Sequence, residues 1–210
     1  MMKITILITA LLLLSSCQTT IKQQTEIIDD YNFLRDFPTF TADNLVNVVV
    51  EIPAGTNQKW EVNKSSGYLE WERINVDSLR TINYLPYPAN YGFVPQTLLS
   101  KGSGGDGDPL DVFLLDAALE RGEVIPSRII AVIKMLDRGE QDDKLIAVPS
   151  GSHFASVHSL EELLVIYPGV IEILSSWLSN YKGEGLVEIQ SVKNEEHAME
   201  FVISATEKLK

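Results

Sequence analysis

Leu45-Val-Asn-Val-Val-Val-Glu-Ile52, closed by Pro53-Ala-Gly55, decides the fold class of this 210-residue chain. Val and Ile fill most of its positions, are stiff at χ1 and suit a packed, pleated surface; Pro and Gly then end the run, so it reads as a strand. Downstream, residues 59–62 and 68–74 flank Asn63-Lys-Ser-Ser-Gly67 and read as a hairpin with Gly at the turn. Further strands are expected at residues 111–115, 124–136 and 144–148. Their alternation is imperfect, as in a sheet that closes on itself and buries its strands unevenly. The last third changes period. Ser159-Leu-Glu-Glu162 is a capping box, and Pro168 suits the first turn of a helix running to about Lys182, with Gly183 as its stop. Asn194 is placed to cap a last helix with an apolar stripe of Ala198, Val202, Ala205 and Leu209. Its Glu195 and Glu196 sit at the positive end and its Lys208 and Lys210 at the negative end. The expected architecture is mainly β (α+β): a small closed β-barrel with C-terminal helices packed alongside.

Composition narrows the partners. Seventeen basic residues against twenty-nine acidic ones give a formal charge of −12. Such a chain has no footprint for nucleic acid or anionic lipid headgroups, and it takes up an anion only if cations stand between the two. The single Cys excludes an intramolecular disulfide. Residues 1–16, MMKITILITALLLLSS, carry one Lys and then an uncharged apolar run. That run is shorter than the roughly 20 residues a membrane span needs, and it fits the apolar region of a secretory signal. It ends at Leu14-Ser-Ser-Cys17, which resembles the lipobox of bacterial lipoproteins. The chain then divides into a signal peptide (1–16), a tether (17–30) lipid-anchored at Cys17, and one domain (31–210). The expected location is the bacterial cell envelope, on a membrane and outside the cytoplasm.

The segment that carries chemistry is Asp106-Gly-Asp108-Pro-Leu-Asp111-Val112. In a regular strand Asp106 and Asp108 share a face and Asp111 points away, but Pro109 and the glycines before it break that regularity and allow all three carboxylates to converge. Two unit charges about 5 Å apart repel by roughly 3 kcal/mol at an effective dielectric near 20. A divalent cation removes that cost, and hard oxygen donors suit Mg²⁺ or Mn²⁺. An EF-hand is excluded, because Leu110 and Asp111 stand where its loop needs an oxygen ligand and a Gly. A second acidic group, Asp137, Asp142 and Asp143, lies between two apolar strands, where Asp137 and Asp142 can face each other across a loop. Metal pairs held by carboxylates are a common device for attacking phosphoryl groups with water. Lys59, Arg73, Lys144 and Lys182 at element ends, with Tyr87, Tyr91 and Tyr181, supply cations and hydroxyls for phosphate. His153, His158 and His197 lack metal spacing, no Walker A loop, GxGxxG or GxSxG occurs, and Trp60, Trp71 and Trp177 read as core.

These residues resemble the family I soluble inorganic pyrophosphatases. The family signature, Asp-x-Asp-Pro-hydrophobic-Asp-hydrophobic, stands at 106–112; Val49-Val-Glu-Ile-Pro-Ala54, Tyr87-Pro-Ala-Asn-Tyr-Gly92 and Lys144-Leu-Ile-Ala-Val-Pro149 follow the same order and spacing. The resemblance implies a five-stranded OB-like barrel and Mg²⁺-dependent hydrolysis of pyrophosphate to two orthophosphates, with three to four Mg²⁺ ions per site. It implies that Asp106, Asp111, Asp137 and Asp142 bind metal, with Glu51 as an outer acidic ligand and Asp108 as general base. It also implies that Lys59, Arg73, Tyr91, Lys144, Tyr181 and Lys182 hold phosphate, that Glu61 and Tyr87 line the site, and that the protein is a homo-oligomer. The chain departs from the family at three points: Arg138, where many bacterial members are acidic; a longer Gly-rich loop at residues 100–105; and the lipoprotein signal. Two other readings stay open on sequence: a metal-binding envelope lipoprotein without activity, and a hydrolase for another phosphoanhydride.

Overall fold

The computed structural model describes residues 25–101, 105 and 107–207. Cys17, Asp106, Lys208, Leu209 and Lys210 lie outside them. In chain order the first strands are β1 (Ile27–Ile28), β2 (Val46–Ile52), β3 (Trp60–Val62), β4 (Leu69–Trp71), β5 (Arg73–Asn75) and β6 (Ser78–Leu79). There follow β7 (Asn90–Val94), β8 (Leu110–Leu114), β9 (Val124–Asp137), β10 (Glu140–Gln141) and β11 (Lys144–Pro149). The chain then forms α1 (Leu160–Ile166), α2 (Val170–Asn180), β12 (Val187–Asn194) and α3 (Glu195–Glu207).

Five strands pair in the order β2, β7, β8, β11, β9, and β9 returns to pair with β2, so the sheet closes into a ring. The β8–β11 pairing is parallel and the others are antiparallel. All seven residues of β2 are buried. The reason is that the strands are covered on both faces, which turns an expected alternation into a continuous apolar run. One face carries Val49, Tyr91, Phe93, Phe113 and Ile146, and α2 packs there through Ile171, Leu174, Trp177 and Leu178. The other carries Val46, Val48, Val50, Val112, Leu145 and Ala147 beneath Ala198, Val202 and Ala205 of α3. Gly92 permits the tight β7–β2 pairing, since a Cβ there would stand 1.8 Å from the Val49 carbonyl oxygen.

The expected Ser159 cap of α1 forms, its Oγ accepting from the Glu162 N–H, while Glu162 Oε2 accepts from the His158 N–H rather than from that of Ser159. Elsewhere the structure differs from the sequence reading. Ile27 and Ile28, read as tether, pair with β4, because the exposed edge of β4 offers unpaired backbone groups. The expected strand 68–74 breaks after Trp71, and β5 leaves to pair with β6 in a separate small hairpin. Strands β7 and β12 were not expected.

Candidate active site

The strand ring gathers its acidic residues at one end. Asp111 lies at the start of β8, Lys144 opens β11 beside it in parallel register, and Asp137 ends β9. Residues Arg138 and Gly139 have positive φ (52° and 89°) and turn the chain tightly, pairing Glu140 with Asp137, and Asp137 and Asp142 line the same cleft. A cleft of about 190 Å³ is lined by the carboxylates of Glu61, Asp108, Asp111, Asp137, Glu140 and Asp142 and by Lys59, Arg80 and Lys182 with Tyr181. An adjoining recess of about 80 Å³ is lined by Glu51, Lys59, Glu61, Lys64, Asp108 and Asp111.

Lysines balance the carboxylates. Lys144 Nζ touches both Asp111 Oδ2 and Asp142 Oδ1, Lys182 Nζ touches Asp137 Oδ2, and Lys64 Nζ touches Asp108 Oδ1. Lys59 Nζ lies 2.7 Å from Glu61 Oε1. Burial alone would lower the Lys144 pKa, but Asp111 and Asp142 hold it well above its ordinary value. Burial alone would raise Asp142, and Lys144 outweighs it to keep the carboxylate ionised. Glu51 is the exception: burial dominates and pushes its carboxyl up to about 8, while its Oε1 accepts the Val62 N–H at 2.7 Å.

Under the lysines runs an aromatic floor. Tyr91 lies below Lys59 and Lys144, with the ammonium groups 5.7 and 5.9 Å from its ring centroid. Tyr181 stacks on Trp177 at 4.3 Å, and Trp177 meets Tyr87 at 4.5 Å. Trp177 is held in turn by its Nε1–H donating to the Leu85 carbonyl at 2.9 Å. Burial raises the pKa of Tyr87 and Tyr91, so both stay protonated and able to donate.

The family model for inorganic pyrophosphatase matches residues 48–210 of the chain. The inorganic pyrophosphatase of Campylobacter jejuni is 32% identical over 171 residues, 80% of this chain and 93% of that protein. The crystal structure of the Neisseria gonorrhoeae inorganic pyrophosphatase is 30% identical with a TM-score of 0.69, covering 84% of this chain and 98% of that one. The structure from Schistosoma japonicum superposes with a TM-score of 0.77 at 27% identity, over 84% of this chain and 70% of that one. The chain belongs to the inorganic pyrophosphatase family.

For a pyrophosphatase site three residues expected to hold phosphate do not line the cleft: Lys144 and Tyr91 are buried beneath it, and Arg73 points elsewhere. Arg73 lies on exposed β5, pairs with Glu26 and donates to the Val76 carbonyl, away from the cleft. The β5–β6 hairpin carries the chain out and back, and Arg80, just past it, reaches the cleft instead. Arg80 is fixed by two bonds from its guanidinium to Glu72, at 2.9 and 2.7 Å. Its place was hidden because nothing in the sequence marks residues 73–79 as a protrusion. Glu140 was also missed. Arg138 is exposed at the turn tip and does not line the cleft.

Family I pyrophosphatases depend on divalent metal. The donors here fit such an ion. They are carboxylate oxygens only, and Asp137 Oδ1 is buried without a hydrogen-bond partner among the described residues. Among the described residues no three acidic or histidine side chains are close enough to hold one ion. Asp106, expected to complete the set, lies outside them.

Proposed function

We propose that this chain is a hydrolase that splits inorganic pyrophosphate into two orthophosphates, with Asp106, Asp111, Asp137 and Asp142 holding Mg²⁺ and Glu51 as an outer ligand. When bound, three to four Mg²⁺ ions neutralise the tetra-anionic substrate and acidify the attacking water. Asp108, at the cleft mouth beside Asp111, takes the proton of that water and releases it as the products leave. Lys59, Arg80 and Lys182, with Tyr181, grip the leaving phosphate and oppose the charge that develops on it. Lys144, Tyr87 and Tyr91 form the buried support beneath, and Glu61 orients Lys59. No covalent intermediate is needed. One observation carries the reading: carboxylates and cationic side chains interleave around one small cleft, with Lys182 against Asp137 and Lys59 against Glu61.

Phosphate release from pyrophosphate, ATP, polyphosphate and p-nitrophenyl phosphate, with Mg²⁺ and with EDTA, is the test. Release from pyrophosphate far above the others and dependent on Mg²⁺ is the expected result. Preference for another anhydride, or no release at all, overturns it in favour of the two other readings. For location, we propose a lipid anchor at Cys17, supported by the apolar run before it. No single helix among the described residues is long and apolar enough to cross a bilayer. Exposed Leu164, Val165, Ile166 and Ile173 on α1 and α2 support self-association.

A further inference from the structure

Asp143 follows Asp142 directly yet lies outside the cleft. In extended chain neighbouring side chains take opposite sides. Asp142 turns to the cleft, and Asp143 turns away from it to a site where it is only 2% exposed. Its Oδ1 accepts the Met135 N–H at 3.0 Å, and its Oδ2 accepts from Lys134 Nζ and Gln141 Nε2. Lys134 Nζ stands 4.8 Å from the centre of the Phe201 ring on α3. One carboxylate thus joins β9, β10, the entry to β11 and, through Lys134, the last helix. The Asp142 N–H adds a bond to the Met135 carbonyl at 3.1 Å.

Stability does not account for this arrangement, because a buried ion pair is costly to desolvate and an apolar pair of similar volume often folds as well or better. The turn, by contrast, needs a clamp. It presents two like charges, Asp137 and Asp142, on a hairpin whose strand β10 is two residues long. So short a pairing is weak by itself.

We propose that Asp143 is a positioning residue that fixes the spacing of Asp137 and Asp142 and ties that spacing to α3. The inference rests on the reading of those two aspartates as metal ligands. The experiment uses the full chain and Mn²⁺ alone, with free ion read by electron paramagnetic resonance and no pyrophosphate present. Asp143→Asn keeps the side chain's size and removes its charge, and it should raise the Mn²⁺ Kd by about tenfold or more. Lys134→Met/Asp143→Asn removes both charges, so it should melt near the wild-type temperature in EDTA while still binding Mn²⁺ weakly. This double variant decides the matter if Asp143→Asn fails to fold. A folded variant that binds Mn²⁺ within twofold of wild type overturns the role of Asp143 and leaves the metal-ligand reading standing. A wild-type chain that takes up no Mn²⁺ overturns both.

Discussion

Asp108 and Asp111 stand three residues apart and share one cleft, yet their surroundings assign them different tasks. Asp111 is held by the buried Lys144, which also holds Asp142, so it is built into the fixed charge lattice. Asp108, by contrast, lies against Lys64, whose side chain is more than half exposed. Asp111→Asn should therefore weaken Mg²⁺ binding along with rate. Asp108→Asn should keep Mg²⁺ affinity and lose about 10²–10⁴-fold in kcat, with partial rescue in alkaline medium. Mg²⁺ titrations and pH profiles that change alike in the two variants would sink this division. The two arginines give a second contrast. Arg80→Ala removes a charged donor from the cleft and should lower kcat/KM by about 10–100-fold, as loss of about 1.5–3 kcal/mol of binding would. Arg73→Ala breaks an exposed ion pair and should leave kcat/KM unchanged. Glu51 gives a pH test. Its folded-state pKa of about 8 lies above its ordinary 4.5, chiefly through burial. The metal-free fold thus gains stability from the bound proton at pH below 4.5 and loses it as pH rises toward 8. Glu51→Gln stays neutral, so in EDTA it should outgrow wild type in stability by about 2–4 kcal/mol between those limits. Melting curves that run parallel across that range would show that Glu51 is not the group concerned.

At the scale of elements, the ring depends on β7 lying hard against β2. Gly92→Ala places a methyl group on the Val49 carbonyl, a backbone atom that cannot rotate away. The expected loss is about 3 kcal/mol or more, read as a lower urea midpoint. A wild-type midpoint would mean that the two strands part easily. The same strand shows why part of the fold was illegible. β2, β9 and β11 are buried on both faces and announce themselves as apolar runs. β7 begins with Asn90, a polar residue fully buried because it pins two loops: its Oδ1 accepts from the Ala54 and Leu119 N–H groups. Preceded by two prolines, Asn-Tyr-Gly reads as loop until those partners are known. β12 does alternate, but its register shifts between Ile189 and Ser191 and breaks the pattern. The site follows the same logic. The aspartates of 106–111 are legible because all three fall within six residues, whereas Arg80 enters through the β5–β6 protrusion. Asp143 was hidden for another reason: a second acid beside Asp142 looks like more of the same charge until the strand's two faces are told apart.

For the whole molecule, the proposed anchor at Cys17 and the start of the domain together constrain how it would sit on a membrane. Ile27 already pairs with β4, so the segment from Cys17 to the folded part is residues 18–26. At about 3.3–3.6 Å per residue that is a reach of about 30 Å at most. Under the proposed anchor at Cys17, that reach lets the domain come within the roughly 10 Å over which the headgroup field acts at ordinary salt, and also lets it stand clear. Removing residues 1–16 takes away Lys3 and moves the formal charge from −12 to −12 − 1 = −13. With that net charge the domain gains nothing from anionic headgroups, so under the proposed anchor the acyl chains at Cys17 would supply the attraction, at about 0.8 kcal/mol per buried CH₂. Cys17→Ser should move the protein from the membrane pellet to the soluble fraction at low salt as well as high. Its kcat and KM for pyrophosphate should stay at wild-type values, because the cleft owes nothing to the tether. Continued sedimentation of the variant with membranes after a high-salt wash would show that something other than the lipid holds it there.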